Sequence, residues 1–195
     1  MLILPKSQRG VTLIELIIGL VIVAILLAIG APNFSTFIQN TKIRNAAEAI
    51  QNGLSLARVE AVRRNTNVQL ALGAGTAWTV GCETVVAGCP AVIQTRTAAE
   101  GSANISIAAT EVVASTNVVA ATPIFTGALS FNNLGRVSNA TLAPGNNAIF
   151  DISNPTGGTC AVVDGPMRCL RVVVTSGGQV RMCDPKLPSA DPQAC

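Results

Sequence analysis

Histidine and tyrosine are absent from this 195-residue chain, and aromatic residues make up only 3% of it. Without histidine, Ser-His-Asp and Cys-His catalysis are excluded, together with most zinc sites. Charge is scarce as well: 12% of residues are charged, where a soluble domain carries about 25%. That deficit points toward membrane, assembly or export. The formal charge of +3, from 13 basic and 10 acidic groups, is too weak a balance to mark a nucleic-acid binder. Asp151, Asp164 and Asp184 stand isolated in turn-like settings, and no Gly-rich phosphate loop occurs. No enzyme, metal or cofactor chemistry is therefore expected. The length suits one domain with an appendage.

Cysteine, by contrast, is plentiful. Cys82, Cys89, Cys160, Cys169, Cys183 and Cys195 all lie in the last two thirds of the chain. An even count, uneven spacing and no C-x-x-C argue for disulfides in an oxidising compartment rather than for a metal.

Hydrophobicity is concentrated at the other end. From Val11 to Ala31 only Thr12 and Glu15 are polar, and a stretch of this length spans a bilayer. Lys6 and Arg9 precede it, which keeps the short N-terminus in the cytoplasm and exports the chain beyond the span. The span runs directly into a helical pattern with no small-residue cleavage site after it, so the anchor is expected to stay. Glu15 is the misfit. A carboxylate inside an apolar span costs several kcal/mol if left unpaired, so it needs a hydrated position or a cation arriving from elsewhere.

The stretch Arg9-Gly10-Val11-Thr12-Leu13-Ile14-Glu15-Leu16 resembles the class III signal of type IV pilins and pseudopilins. The resemblance implies that a prepilin peptidase cuts after Gly10 and methylates the new N-terminus at Val11. Glu15 then becomes the fifth mature residue, and the freed amine of a neighbouring subunit is the cation it pairs with. The family usually has Phe where this chain has Val11.

Pro32, after Gly30, lacks an amide hydrogen and is expected to break or kink the helix; pilin-like chains often have Pro at the matching place. Beyond it Phe34, Phe37, Ile38, Ile43, Ala46, Ala47, Ile50, Leu54, Ala57, Ala61 and Val62 recur at helical spacing. One helix from Val11 to about Arg64 would measure roughly 80 Å. Arg58, Arg63 and Arg64 near its end read as partners of the helix dipole and of solvent rather than of nucleic acid.

After Asn65 short β-branched runs alternate with turn residues. Strands are expected at Val68–Leu72, Trp78–Val80, Ile105–Ala108, Val112–Val119, Leu129–Phe131, Ala148–Ile152, Ala161–Val163, Leu170–Val174 and Gln179–Met182. Asn132, Asn133, Asn146 and Asn147 are placed in turns. The expected fold is α+β: a long N-terminal α-helix, transmembrane in its first half, packed on a small antiparallel β-sheet or sandwich head. Residues 1–10 form a leader, 11–31 the membrane or filament-core segment, 32–64 the amphipathic second half of the helix, and 65–195 a periplasmic head.

The last hairpin, with Thr175-Ser176-Gly177-Gly178 between its strands, and the early Trp78-Thr79-Val80-Gly81-Cys82 resemble the FimT/FimU minor pilins and the GspH pseudopilins of type II secretion. That implies a helix with two small sheets, anchored in the inner membrane of a Gram-negative cell. The cysteines permit 15 pairings. The favoured set is Cys82–Cys89, Cys160–Cys169 and Cys183–Cys195. An Asp164-Gly165 turn would bring the second pair together, and the third would close a Pro-rich terminal loop like that of many pilins. Cys169–Cys183 is the rival.

The leading function is a structural minor pilin of a type IV pilus, priming or joining a helical filament with other major and minor pilins. The alternatives are a minor pseudopilin of type II secretion and a FimT-like DNA-capturing subunit. Some FimT-type proteins bind DNA through Gly-Arg-x-Arg in the last hairpin. The matching residues here are Gly178-Gln179-Val180-Arg181, so one Arg is missing. Arg168, Arg171 and Arg181 are left as weak phosphate contacts. Removing Lys6 and Arg9 leaves 11 basic against 10 acidic groups, a charge of +1, and the reading is against nucleic acid.

Overall fold

The structure, a computed structural model, describes residues 10–100, 104–121, 124, 125, 127–138 and 141–195, with the side chains at 31–33 left out. The leader residues before Gly10, Lys6 and Arg9 among them, lie outside this description. Two compact units emerge, Met1–Phe37 and Ile38–Cys195. One helix, α1 (Leu13–Arg64), contributes to both.

In the first unit α1 is apolar on every side. The stretch Leu13–Gly30 has a mean hydropathy of 3.0, and none of it is buried within the chain. Its cover must come from outside, from lipid or from other subunits. The helix is continuous through residue 32, so the expected break at Pro32 does not occur. Any i→i−4 bond lost there costs less than ending a helix that continues for more than thirty residues.

In the second unit the same helix becomes one-sided. Ile43, Ala46, Ala47, Ile50, Leu54, Ala57 and Ala61 are all buried, a stripe at spacings of three and four that arises from 3.6 residues per turn. Four of the seven are alanines, so the buried stripe is built largely of small side chains. At Gly53 a side chain would meet Leu70 and Trp78. The helix ends where Asn65 turns left-handed, at φ 53°. Asn65 N–H then donates to Val62 O and Thr66 N–H to Ala61 O, the paired bonds of a Schellman cap.

Among the described residues eight strands follow: β1 (Val68–Leu72), β2 (Trp78–Cys82), β3 (Gln94–Arg96), β4 (Ser106–Val113), β5 (Ala128–Phe131), β6 (Asn146–Ser153), β7 (Leu170–Val174) and β8 (Val180–Cys183). They form two antiparallel sheets, in the orders β3-β2-β1-β5 and β4-β6-β7-β8. The architecture is α+β with two small sheets, as expected. Strand alternation sorts the second sheet's side chains. Ala148, Phe150, Ile152, Val172 and Val174 join the core under the helix, whereas Ile149 and Val173 join Val112 and Cys183 on the opposite face.

Several expected strands are redrawn. Ile105–Ala108 and Val112–Val119 are not two strands: β4 runs unbroken from Ser106, and the chain turns back after Val113, with Val113 N–H donating to Val118 O. Thr110 and Glu111 broke the apolar pattern without breaking the strand, because Glu111 is satisfied from elsewhere. Ala161–Val163 is a single 3-10 turn ended by Asp164 at φ 60°, since the short disulfide loop around it leaves no partner strand. Asn146 and Asn147 open β6 instead of forming a turn, paired with Val113 and Val112. Gln179 lies in the turn before β8. The short polar edge strand β3 gave no apolar signal.

Candidate functional site

Gly10, Val11 and Thr12 precede α1 and are exposed. Thr12 is the N-cap: its Oγ1 accepts a hydrogen bond from Glu15 N–H at 3.3 Å, and its carbonyl accepts from Leu16 N–H at 3.2 Å. Thr12-Leu13-Ile14-Glu15 therefore has the capping-box spacing, a signal present in the sequence itself. Glu15 is the acid of the first turn, where the helix dipole favours negative charge. Among the described residues no cation reaches its carboxylate.

All six cysteines are bonded: Cys82–Cys89, Cys160–Cys169 and Cys183–Cys195, with Cα separations of 5.7, 5.4 and 5.1 Å. These are the favoured pairings, and the rival Cys169–Cys183 is not formed. No thiolate is left to bind a metal. The first bridge closes the β2–β3 loop. The second closes a loop that is fixed to the helix, with Arg168 N–H donating to Asn40 Oδ1 at 2.8 Å. The third draws the C-terminal segment over the outer face of the second sheet.

The arginines considered for phosphate contact are engaged. Arg171 makes two bonds to Asp151, at 2.7 and 3.0 Å, from directly opposite positions on β7 and β6. Arg168 Nε lies 2.5 Å from the buried Asp184. Arg181 donates to the carbonyls of Ala194 and Cys195, at 3.4 and 3.3 Å. Arg171 faces Cys183 across the hairpin and Arg181 faces Val173. The two arginines thus share one face, but as structural partners of acids and carbonyls.

At the end of α1, Arg63 and Arg64 both bind Glu60, at 2.7 and 2.6 Å. The Arg63 hydrogen bond, with that from Arg64, holds the Glu60 carboxyl below its ordinary pKa against the opposing effect of burial. Arg64 also donates to the Gly88 carbonyl. These residues do more than meet solvent: they tie the helix end to the disulfide-closed β2–β3 loop.

Sequence reasoning missed Glu111. It is fully buried in β4, and among the described residues no cation pairs with it. Ile124 and Phe125 N–H donate to Oε2 at 2.7 and 3.2 Å, while Ala143 N–H and Asn146 Nδ2 donate to Oε1, each at 2.8 Å. Burial works to raise its pKa, but these four donors outweigh it and hold the carboxyl below the ordinary value. One buried side chain thereby fixes two loops.

Residues 5–31 match the prokaryotic N-terminal methylation motif, and residues 46–178 match the family described as type II transport protein GspH. Among solved structures, the type IV minor pilin FimU of Pseudomonas aeruginosa is similar at 20% identity, over 82% of this chain and 98% of that one, with a TM-score of 0.48. The minor pseudopilin EpsH from the type 2 secretion system of Vibrio cholerae is similar at 13% identity, over 75% and 99%, also with a TM-score of 0.48. None of the curated proteins matches.

A methylation motif opening an uncovered apolar helix, followed by a β-rich head with disulfides, defines a pilin-like protein anchored by a single N-terminal helix. The second family match covers more than half of the chain, and the chain belongs to the GspH family. It is thus a minor pilin or pseudopilin, in a family of structural subunits.

Proposed function

We propose that this protein is a minor pilin of a type IV pilus, cut by a prepilin peptidase between Gly10 and Val11, methylated on the Val11 amine and assembled into or priming a helical filament. Before assembly it sits in the inner membrane, with its N-terminus cytoplasmic and its head periplasmic. The observation that carries this reading is the bare Leu13–Gly30 helix with one carboxylate near its start. Such a helix is stable only in lipid or among like helices, and Glu15 among like helices needs the freed amine of a neighbour. Pro32 is the place where the filament helix is expected to kink or locally melt. Intact-mass measurement of membrane-extracted protein tests the processing step. A species that keeps Met1–Gly10 in cells with active prepilin peptidase would sink it.

The second reading, a GspH-like minor pseudopilin of type II secretion, is favoured by the family match over residues 46–178. Deletion in the native host separates the two: loss of surface filaments supports the pilus, and loss of an exported enzyme with filaments intact supports secretion. A DNA-capturing role is disfavoured because Arg168, Arg171 and Arg181 already serve Asp184, Asp151 and the Ala194 and Cys195 carbonyls.

A further inference from the structure

Positive charge without a carboxylate partner gathers at one place on the head. The loop at residues 132–138 lies against the last turns of α1, fixed by Arg58 Nε donating to Gly135 O at 3.0 Å and by Asn133 Nδ2 donating to Asn65 Oδ1 at 2.9 Å. Gly135 has φ 71°, and a side chain there would meet Arg58 and Val62. The β7–β8 turn closes on the same loop: at Gly178, φ 82°, a Cβ would strike Gly135 O. Only glycine at both positions permits this three-way junction.

Beside the junction lies an open groove of about 450 Å3, lined by Asn67, Asn132, Leu134, Arg136, Ser138 and Ser176 among others. Among the described residues of its lining, Arg136 is the one charged group. Its guanidinium is exposed and meets no acceptor among the described residues. Arg58 is exposed too and is bonded to a carbonyl, not to an acid. Apolar surface is interleaved with this charge: Leu134 is 72% exposed, with Val59 and Val62 at 59% and 53%.

We propose that this face docks an acidic, aliphatic loop of another protein, with carboxylates on Arg58 and Arg136 and an apolar side chain over Leu134. Charge complementarity selects the acid, because neither Arg58 nor Arg136 has a carboxylate partner among the described residues. The exposed Leu134, Val59 and Val62 select a protein over a nucleic acid. A polyphosphate strand would leave them wet and, among the described lining residues, would find no aromatic ring to stack on. The proposal names a partner chemistry for the subunit and so rests on the assembly reading, yet its test needs no filament.

Full-length protein in detergent is titrated into a short fluorescein-labelled peptide of repeating Asp-Leu, followed by anisotropy, with a Lys-Leu peptide and duplex DNA as comparisons. Saturable binding of the acidic peptide alone is expected, weakening as salt rises. Arg136→Glu should lower the affinity about tenfold or more, and Leu134→Ser should lower it without changing the salt dependence. Lys186→Glu, with the same change in net charge at a distant place, should leave it unaltered. Circular dichroism of each variant keeps misfolding from posing as lost binding. Absence of saturable peptide binding, preference for duplex DNA, or equal loss with Lys186→Glu would overturn the proposal. Each of these leaves the processing of Gly10–Val11 untouched, so the two readings fail separately.

Discussion

A single carboxylate can do opposite work at two places in one chain. Glu111 is deeply buried and fully satisfied, whereas Glu15 is exposed and lacks a cation among the described residues. Glu111→Gln keeps the shape but turns two donors of its amide toward groups that also donate. It should cost about 2 kcal/mol or more, read by urea denaturation. The folded Glu111 carboxyl titrates below the ordinary value of 4.5. Its contribution is therefore complete above that value and is lost as the pH falls below it, through the depressed one. The gap between wild type and Glu111→Gln should accordingly shrink in acid, and a gap that widens there would refute the assignment. Glu15→Ala should leave membrane insertion intact yet reduce incorporation into sheared filaments. Normal incorporation would make Glu15 merely a hydrated capping residue.

Among single residues, the bonded state of the six cysteines was legible in the sequence, since an even cysteine count is a local fact; Glu15 stands out there for the same reason, and its role is for the filament experiment to decide. The sequence could not disclose Glu111, whose donors lie 13 to 35 positions away, nor the carboxylate partners of Arg168 and Arg171. Those partners are created by sheet register.

Elements were legible in proportion to their regularity. The helix end at Arg64 and the strands Val68–Leu72 and Leu170–Val174 fall where periodicity puts them. The Glu111 position misled, because a buried acid looks like a strand end until its donors are known. The segment Ala161–Val163 misled because β-branched residues inside a disulfide loop have no strand to pair with. Replacing Cys160 and Cys169 by serine should destabilise the head by about 2–4 kcal/mol. It should also loosen the Arg168–Asn40 contact, visible as faster amide exchange at Arg168. On the helix, Ala57→Leu puts a larger side chain into a fully buried position and should cost about 1–3 kcal/mol by overpacking. A thermal melt equal to wild type would show that the helix can move away from the sheets.

At the scale of the whole molecule, composition already announced the division of labour, since so little charge is hard to reconcile with a wholly soluble chain. The structure adds where the division falls. Every helix residue in the core cluster is at Ile43 or beyond, and the second unit starts at Ile38. A chain of residues 38–195 should therefore be soluble and folded without detergent, with thermal stability close to that of the full protein. Aggregation of that fragment under oxidising conditions would mean that the apolar segment supports the head.

The three bridges join each cysteine to the next in order, with no loop enclosing or crossing another. In the proposed topology the N-terminus stays behind and the segment after the anchor is exported from its membrane-proximal end onward, so the thiols emerge in that same order and each pair is complete before the next arrives. An oxidase that simply joins successive cysteines on emergence would produce the native set, and shuffling by an isomerase would be unnecessary. The protein should thus reach full oxidation in cells that have a periplasmic thiol oxidase but lack the disulfide-correcting enzyme.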